Sequence, residues 1–128
     1  MSTYEDLDAF KACHQLTLAA HRVTVTLEER DAELAGRLWS AAIVASSRIA
    51  RGSGYHDRRM FRACVDRTAA ALAEFEAYLE LARELDMIPA EGHRELESLG
   101  GRALFYVMKL AMSLDPAKAP GSDSSEKR

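Results

Sequence analysis

A chain of 128 residues has room for one domain built on one core. With 48% hydrophobic residues, 29% charged residues and a net charge of -3, it is an ordinary globular composition and not that of a bulk polyanion binder. No apolar run reaches the roughly 20 residues of a membrane span, and the opening Met1-Ser2-Thr3-Tyr4-Glu5-Asp6 lacks the basic and apolar regions of a signal peptide. A cytoplasmic protein with no membrane partner is expected. Cys13 and Cys64 fit neither a metal spacing nor a secreted disulfide framework. Both fall in helical patterns, where a free cysteine behaves as a small apolar residue.

The first helix is expected from about Asp6 to Leu27, because Ala9, Cys13, Leu16, Ala20, Val23 and Leu27 recur in steps of four and three. Its β-branched stretch Val23-Thr24-Val25-Thr26 keeps that phase, so no strand is needed. The charged run Glu28-Glu29-Arg30-Asp31 breaks the pattern. A second helix follows from about Ala32 to Arg51 on the stripe Leu34, Leu38, Ala42, Ala45 and Ile49, which Trp39 and Ile43 broaden on one side. Gly52-Ser53-Gly54 is expected to end it through the left-handed conformation that glycine adopts readily.

The third helix should run from about Asp57, a suitable N-cap, to Leu85. Phe61, Val65, Thr68, Leu72, Phe75, Leu79 and Ala82 form the narrow seam of coiled-coil-like packing. Asp86-Met87-Ile88 stops it, and Pro89 suits the first turn of a fourth helix running to about Leu114. The seam expected there is Leu96, Leu99, Ala103, Tyr106 and Leu110. It stays in phase across Gly100-Gly101, so the helix should continue despite a cost of about 1 kcal/mol per glycine. Residues 115–128, rich in Pro, Ser and Lys with cancelling charges, read as a disordered tail. Four long helices with short connections alternate in direction. The expected fold is therefore all-α, an antiparallel up-and-down four-helix bundle over residues 1–114.

Ser47-Arg48-Ile49-Ala50-Arg51-Gly52-Ser53-Gly54 resembles the Ser-Asn-Ile-Ala-Glu-Gly-x-Gly turn of the "four helix bundle protein" family. That family includes proteins encoded in intervening sequences of bacterial large-subunit ribosomal RNA genes. Phe61 sits where the family has its Glu-Phe pair. Leu72-Ala73-Glu74-Phe75-Glu76 is similar to the Ser-Leu-x-Glu-Leu-Glu segment that follows, and Asp6-Leu7-Asp8-Ala9-Phe10-Lys11 to the Asp-Leu-x-x-Trp-x opening. The chain departs from the pattern at Arg48, Arg51, Tyr55 and Met60, where the family has Asn, Glu, Arg and Glu. The family is similar in fold to the accessory protein of diversity-generating retroelements, a pentamer that binds nucleic acid and a reverse transcriptase. The resemblance implies a homo-oligomer, a pentamer, without enzymatic activity.

Four constellations bear on chemistry. Seven arginines from Arg37 to Arg67 face only Asp57 and Asp66, a local charge of +5 in a chain of net charge -3. Of these, Arg48, Arg51, Arg58, Arg59 and Arg62, with Tyr55 and His56 interleaved, should gather at one end of the bundle and suit RNA or DNA phosphates and bases. The alternative is a solvated surface whose arginines pair with neighbouring acids, as Arg48 or Arg67 would with Glu74 or Glu76. A bundle-core metal site has no support, because no His has Glu three residues before it and His14 and His21 are two turns apart. No nucleophile elbow or phosphate loop is present. No metal, cofactor or enzymatic activity is expected.

The fourth constellation is an oligomer interface. Trp39, Ile43 and Val44 lie beyond the seam of helix two. Leu104, Phe105, Val107, Met108, Ala111 and Met112 lie beyond that of helix four. A helix apolar on more than one stripe buries more than one side. Trp39, Ile43, Phe105, Met108 and Met112 are the candidate interface residues. The function expected is a homo-oligomeric structural or adaptor module for a macromolecular partner, either another protein or nucleic acid. The nucleic-acid form of that reading uses Arg48, Arg51, Tyr55, Arg58, Arg59 and Arg62.

Overall fold

The computed structural model describes residues 7–115. They form four helices: α1 (Asp8–Glu28), α2 (Ala32–Gly52), α3 (Arg58–Glu84) and α4 (Ala90–Ser113). α1 packs on α2 and α4, and α3 packs on the same two, so the helices close in chain order around one core as an antiparallel up-and-down bundle. No strand occurs among the described residues. Asp6, the expected start of α1, and residues 116–128, which hold nearly all of the expected tail, lie outside them.

The seams of α2 and α3 are buried at every expected position, from Leu34 to Ile49 and from Phe61 to Ala82. In α1 only Val23 falls short, half-buried at the edge of the core. α4 departs from expectation. Its buried face is Leu96, Ala103, Val107, Ala111 and Leu114, whereas Leu99, Tyr106 and Leu110 are half-buried on the flank. Val107 and Ala111, expected beyond the seam, are core residues. The helix is apolar on several sides, so spacing alone could not pick the inner one. It runs unbroken through Gly100 and Gly101, as expected.

The turns carry the remaining local logic. Asp31 caps α2 by accepting from the Leu34 N–H at 3.0 Å, and Asp57 caps α3 by accepting from the Arg59 N–H at 2.8 Å. The α2–α3 turn is not left-handed as expected. Ser53 stays right-handed at φ -67°, and the Gly54 and Tyr55 N–H groups donate to the Arg51 and Gly52 carbonyls. Gly52 is required there for a different reason. A Cβ on it would stand 2.6 Å from Cys64 Cβ and 3.1 Å from Phe61 Cδ1, so its bare backbone lets α2 close onto α3.

The left-handed cap falls instead on Asp86, at φ 57°, after α3. The Met87 N–H donates to the Ala82 carbonyl at 2.9 Å and the Asp86 N–H to the Arg83 carbonyl at 3.0 Å, the paired bonds of a Schellman ending. Met87, just beyond, packs against the core.

Buried polar groups are few and satisfied. The Thr68 hydroxyl donates to the Ala45 carbonyl at 3.1 Å, tying α3 to α2. Thr17 ties α1 to α2 through the Ala42 carbonyl and the Ser46 hydroxyl, the latter at 2.7 Å. No fully enclosed side-chain nitrogen or oxygen lacks a partner among the described residues.

Candidate functional site

The up-and-down order brings the C-termini of α2 and α4 to the same end of the bundle as the N-terminus of α3. The basic group expected there is present, but its members have different tasks. Arg58 donates to the Ser113 carbonyl at 2.6 Å and Arg62 to the Ala111 carbonyl at 3.0 Å. Both carbonyls belong to the last turn of α4, which has no basic residue of its own. Arg58 therefore supplies a donor to the Ser113 carbonyl, Arg62 adds a second donor to the Ala111 carbonyl that already accepts from the Leu114 N–H, and both oppose the negative end of the helix dipole. Arg62 also pairs with Asp66 at 2.9 Å. These side chains are engaged within the fold, a role that spacing along α3 could not reveal because the acceptors lie about fifty residues away.

The other candidates separate further. A hydrogen bond with the Tyr55 side chain raises the Arg51 pKa above its ordinary value, and Tyr55 is half-buried in that contact. Arg59 is 85% exposed and stands 4.0 Å from Asp57. His56 is exposed. Arg48 leaves the bundle end and lines a cleft between α2 and α3 together with Arg67, Arg37 and Tyr78. The alternative pairing of Arg48 or Arg67 with Glu74 or Glu76 does not form: neither arginine has an ion pair with any described residue. Arg37 is engaged, hydrogen-bonded to Glu33 at 3.1 Å, and Glu33 first and Tyr78 second raise its pKa.

The candidate interface residues fall on two separate faces. Phe105, Met108 and Met112 are 59%, 49% and 54% exposed. Phe105 lies two residues from the buried Ala103 and Val107, so it points roughly 160° around the helix from each. Met112 lies near Phe105 on that outer side and Met108 on its flank, about 60° around the helix from each of Phe105 and Ala111, so the three side chains form one exposed row at helical spacing. Lys109 lies over the Phe105 ring at 5.7 Å, and Tyr106 meets that ring edge-on. Trp39 is half-buried, edge-on to His21 across the α1–α2 groove, and Ile43 is exposed beside it. Leu18 and Val25, seven residues apart on α1 and exposed, were not singled out in the sequence. Seven-residue spacing on the outer side was the signal that could have found them.

Among the described residues, no three His, Cys, Asp or Glu side chains converge to hold a metal ion, and no helix is long and apolar enough to cross a membrane. Burial pushes the Cys13 thiol up to about 12, so it stays protonated. At the opposite end of the bundle the buried His93 approaches Glu80 at 3.6 Å. Arg83, hydrogen-bonded to Glu80, holds that carboxyl below its ordinary value.

Fold and surfaces together define a small all-α four-helix-bundle protein whose distinctive groups lie on its outer faces. Residues 5–102 match the model of the 23S rRNA-intervening sequence protein family, and the chain belongs to that family. No curated protein matches it.

Proposed function

We propose that the chain is a non-enzymatic homo-oligomer that serves as a structural or adaptor module for a macromolecular partner. The observation that carries this reading is the outward row of Phe105, Met108 and Met112 on α4. Three large apolar side chains in a row on the outer side of a complete core are costly to leave in water and gain when another copy covers them. Five copies is the number that the resemblance to the retroelement accessory protein implies. Light scattering on the wild-type chain and on the Phe105→Glu/Met108→Glu double variant tests the reading. A multiple of the 14.2 kDa protomer mass is expected for the first and a folded monomer for the second. A wild-type monomer at high micromolar concentration refutes it.

A second reading, in which the partner is RNA or DNA, is favoured by the arginines whose pairing with acids is absent or at the limit of contact. Arg51 and Arg59 stand at the bundle end without a close carboxylate pair, since Arg59 only reaches 4.0 Å from Asp57. Binding of structured RNA should then fall steeply with salt and weaken in Arg51→Ala/Arg59→Ala. Absence of binding at low salt ends this reading without touching the first.

A further inference from the structure

The cleft between α2 and α3 measures about 360 Å³, within the range of about 300–1,000 Å³ usual for ligand sites. Its floor is kept low by small residues, among them Ala41 and Ala71. The hydrogen bond from Thr68 to the Ala45 carbonyl sets the level of the two helices, so Arg67 from α3 and Arg48 from α2 stand at the same end. Arg37 and Tyr78 close the far end. The lining contains a single carboxylate, Glu74, seven residues along α3 from Arg67, or about 10 Å.

Arg48 is half-buried and has no acidic partner, so part of its hydration is lost without compensation. A second unpaired guanidinium facing the same space makes that end of the cleft a place for a doubly held anion. Glu74 cannot join such a contact. It is placed to accept from hydroxyl or amino donors about two turns along α3 from Arg67, on the scale of the reach from a nucleotide's phosphate to its sugar and base.

We propose that this cleft binds a nucleotide, with its phosphate gripped by Arg48 and Arg67 and its donor-bearing part directed toward Glu74. The ligand is either a free nucleotide or one unit of an RNA strand. The proposal shares phosphate chemistry with the nucleic-acid reading above but places the contact on a different surface. It fails separately, because Arg51 and Arg59 lie outside the cleft.

Titration calorimetry at low salt with three probes tests it: inorganic phosphate, adenosine monophosphate and a short single-stranded RNA. Saturable binding of the nucleotide is expected, weakened about tenfold or more in Arg67→Ala and in Arg48→Ala and unchanged in Arg59→Ala. Arg67 is exposed, so its variant keeps the fold and remains decisive if Arg48→Ala does not. RNA bound more tightly than the nucleotide, with the same two losses, identifies a strand as the source. Equal or weaker binding of RNA identifies the free nucleotide. Four outcomes overturn the proposal: no saturable binding of any probe, inorganic phosphate bound as tightly as the nucleotide, equal weakening in Arg59→Ala, or RNA binding lost in Arg51→Ala/Arg59→Ala but kept in Arg67→Ala.

Discussion

α3 and α4 are neighbours of similar length that use apolar residues in opposite ways. α3 places its bulk inward: Phe61, Val65, Leu72, Phe75 and Leu79 are buried in one unbroken seam. α4 places smaller residues inward, with alanine at 103 and 111, and carries Phe105, Met108 and Met112 outside. Burying those three instead would gain hydrophobic free energy at the cost of overfilling a core already closed by Phe75, Leu38 and Leu16. The contrast shows that the amount of apolar surface on a helix does not say which way it faces. On the proposed reading, an outer face of this kind is covered by another copy of the chain.

Breaking the inner half of the comparison should produce the largest effect. Phe75→Ala removes a side chain that is 1% exposed and should cost about 3–5 kcal/mol in urea unfolding. Phe105→Ser should change the stability of the isolated protomer by no more than about 0.5 kcal/mol while abolishing assembly, so the two phenylalanines should respond through different observables. A large loss of protomer stability in Phe105→Ser would erase the distinction.

Next in size is the joint that seats α3. Gly52→Ala puts a methyl group against Cys64 and Phe61 and should destabilise by about 1–3 kcal/mol, measured in the same way. Arg62→Ala should cost about 1 kcal/mol by uncapping the C-terminus of α4, and the loss should appear first as faster hydrogen exchange in the turn that holds Ala111.

The smallest effect lies at the link between the two helices. Asp86→Gly relieves the left-handed strain at φ 57° and should stabilise by about 0.5 kcal/mol, whereas Asp86→Ala should destabilise. A pH series adds a check on burial in α1. The folded Cys13 value of about 12 lies above the ordinary 9.0, so the stability it contributes is complete below 9.0 and is lost as pH rises toward about 12. Urea midpoints should fall above pH 9.0, and fall less in Cys13→Ala.

The fold was legible wherever a helix had a single apolar face. The seams of α2 and α3 could be read residue by residue because each repeats in steps of four and three without a break, and the exposed Ile43, Met60 and Leu81 stand singly beside them. α4 could not be phased, because Tyr106, Leu110, Val107 and Phe105 are all largely apolar and only packing against α1 and α3 decides among them. The turn at Gly52 was misread in mechanism. A glycine suggests a left-handed cap, but the approach of Cys64 is a tertiary fact. The basic cluster was legible as charge and not as geometry. Arg58 and Arg62 are spent on carbonyls far away in sequence, and Arg67, outside the group expected at the bundle end, joins Arg48 only through the pairing of two helices.

Graded oxidation of methionines by peroxide, read by mass spectrometry on the concentrated wild-type protein, tests the outer face of α4 most directly. Met60, Met108 and Met112 are 46%, 49% and 54% exposed in the protomer, so each serves as the others' control. Covered by another copy, Met108 and Met112 should oxidise several-fold more slowly than Met60 and regain its rate on dilution. Equal rates for all three at every concentration would show that the face stays open to water and would contradict the account.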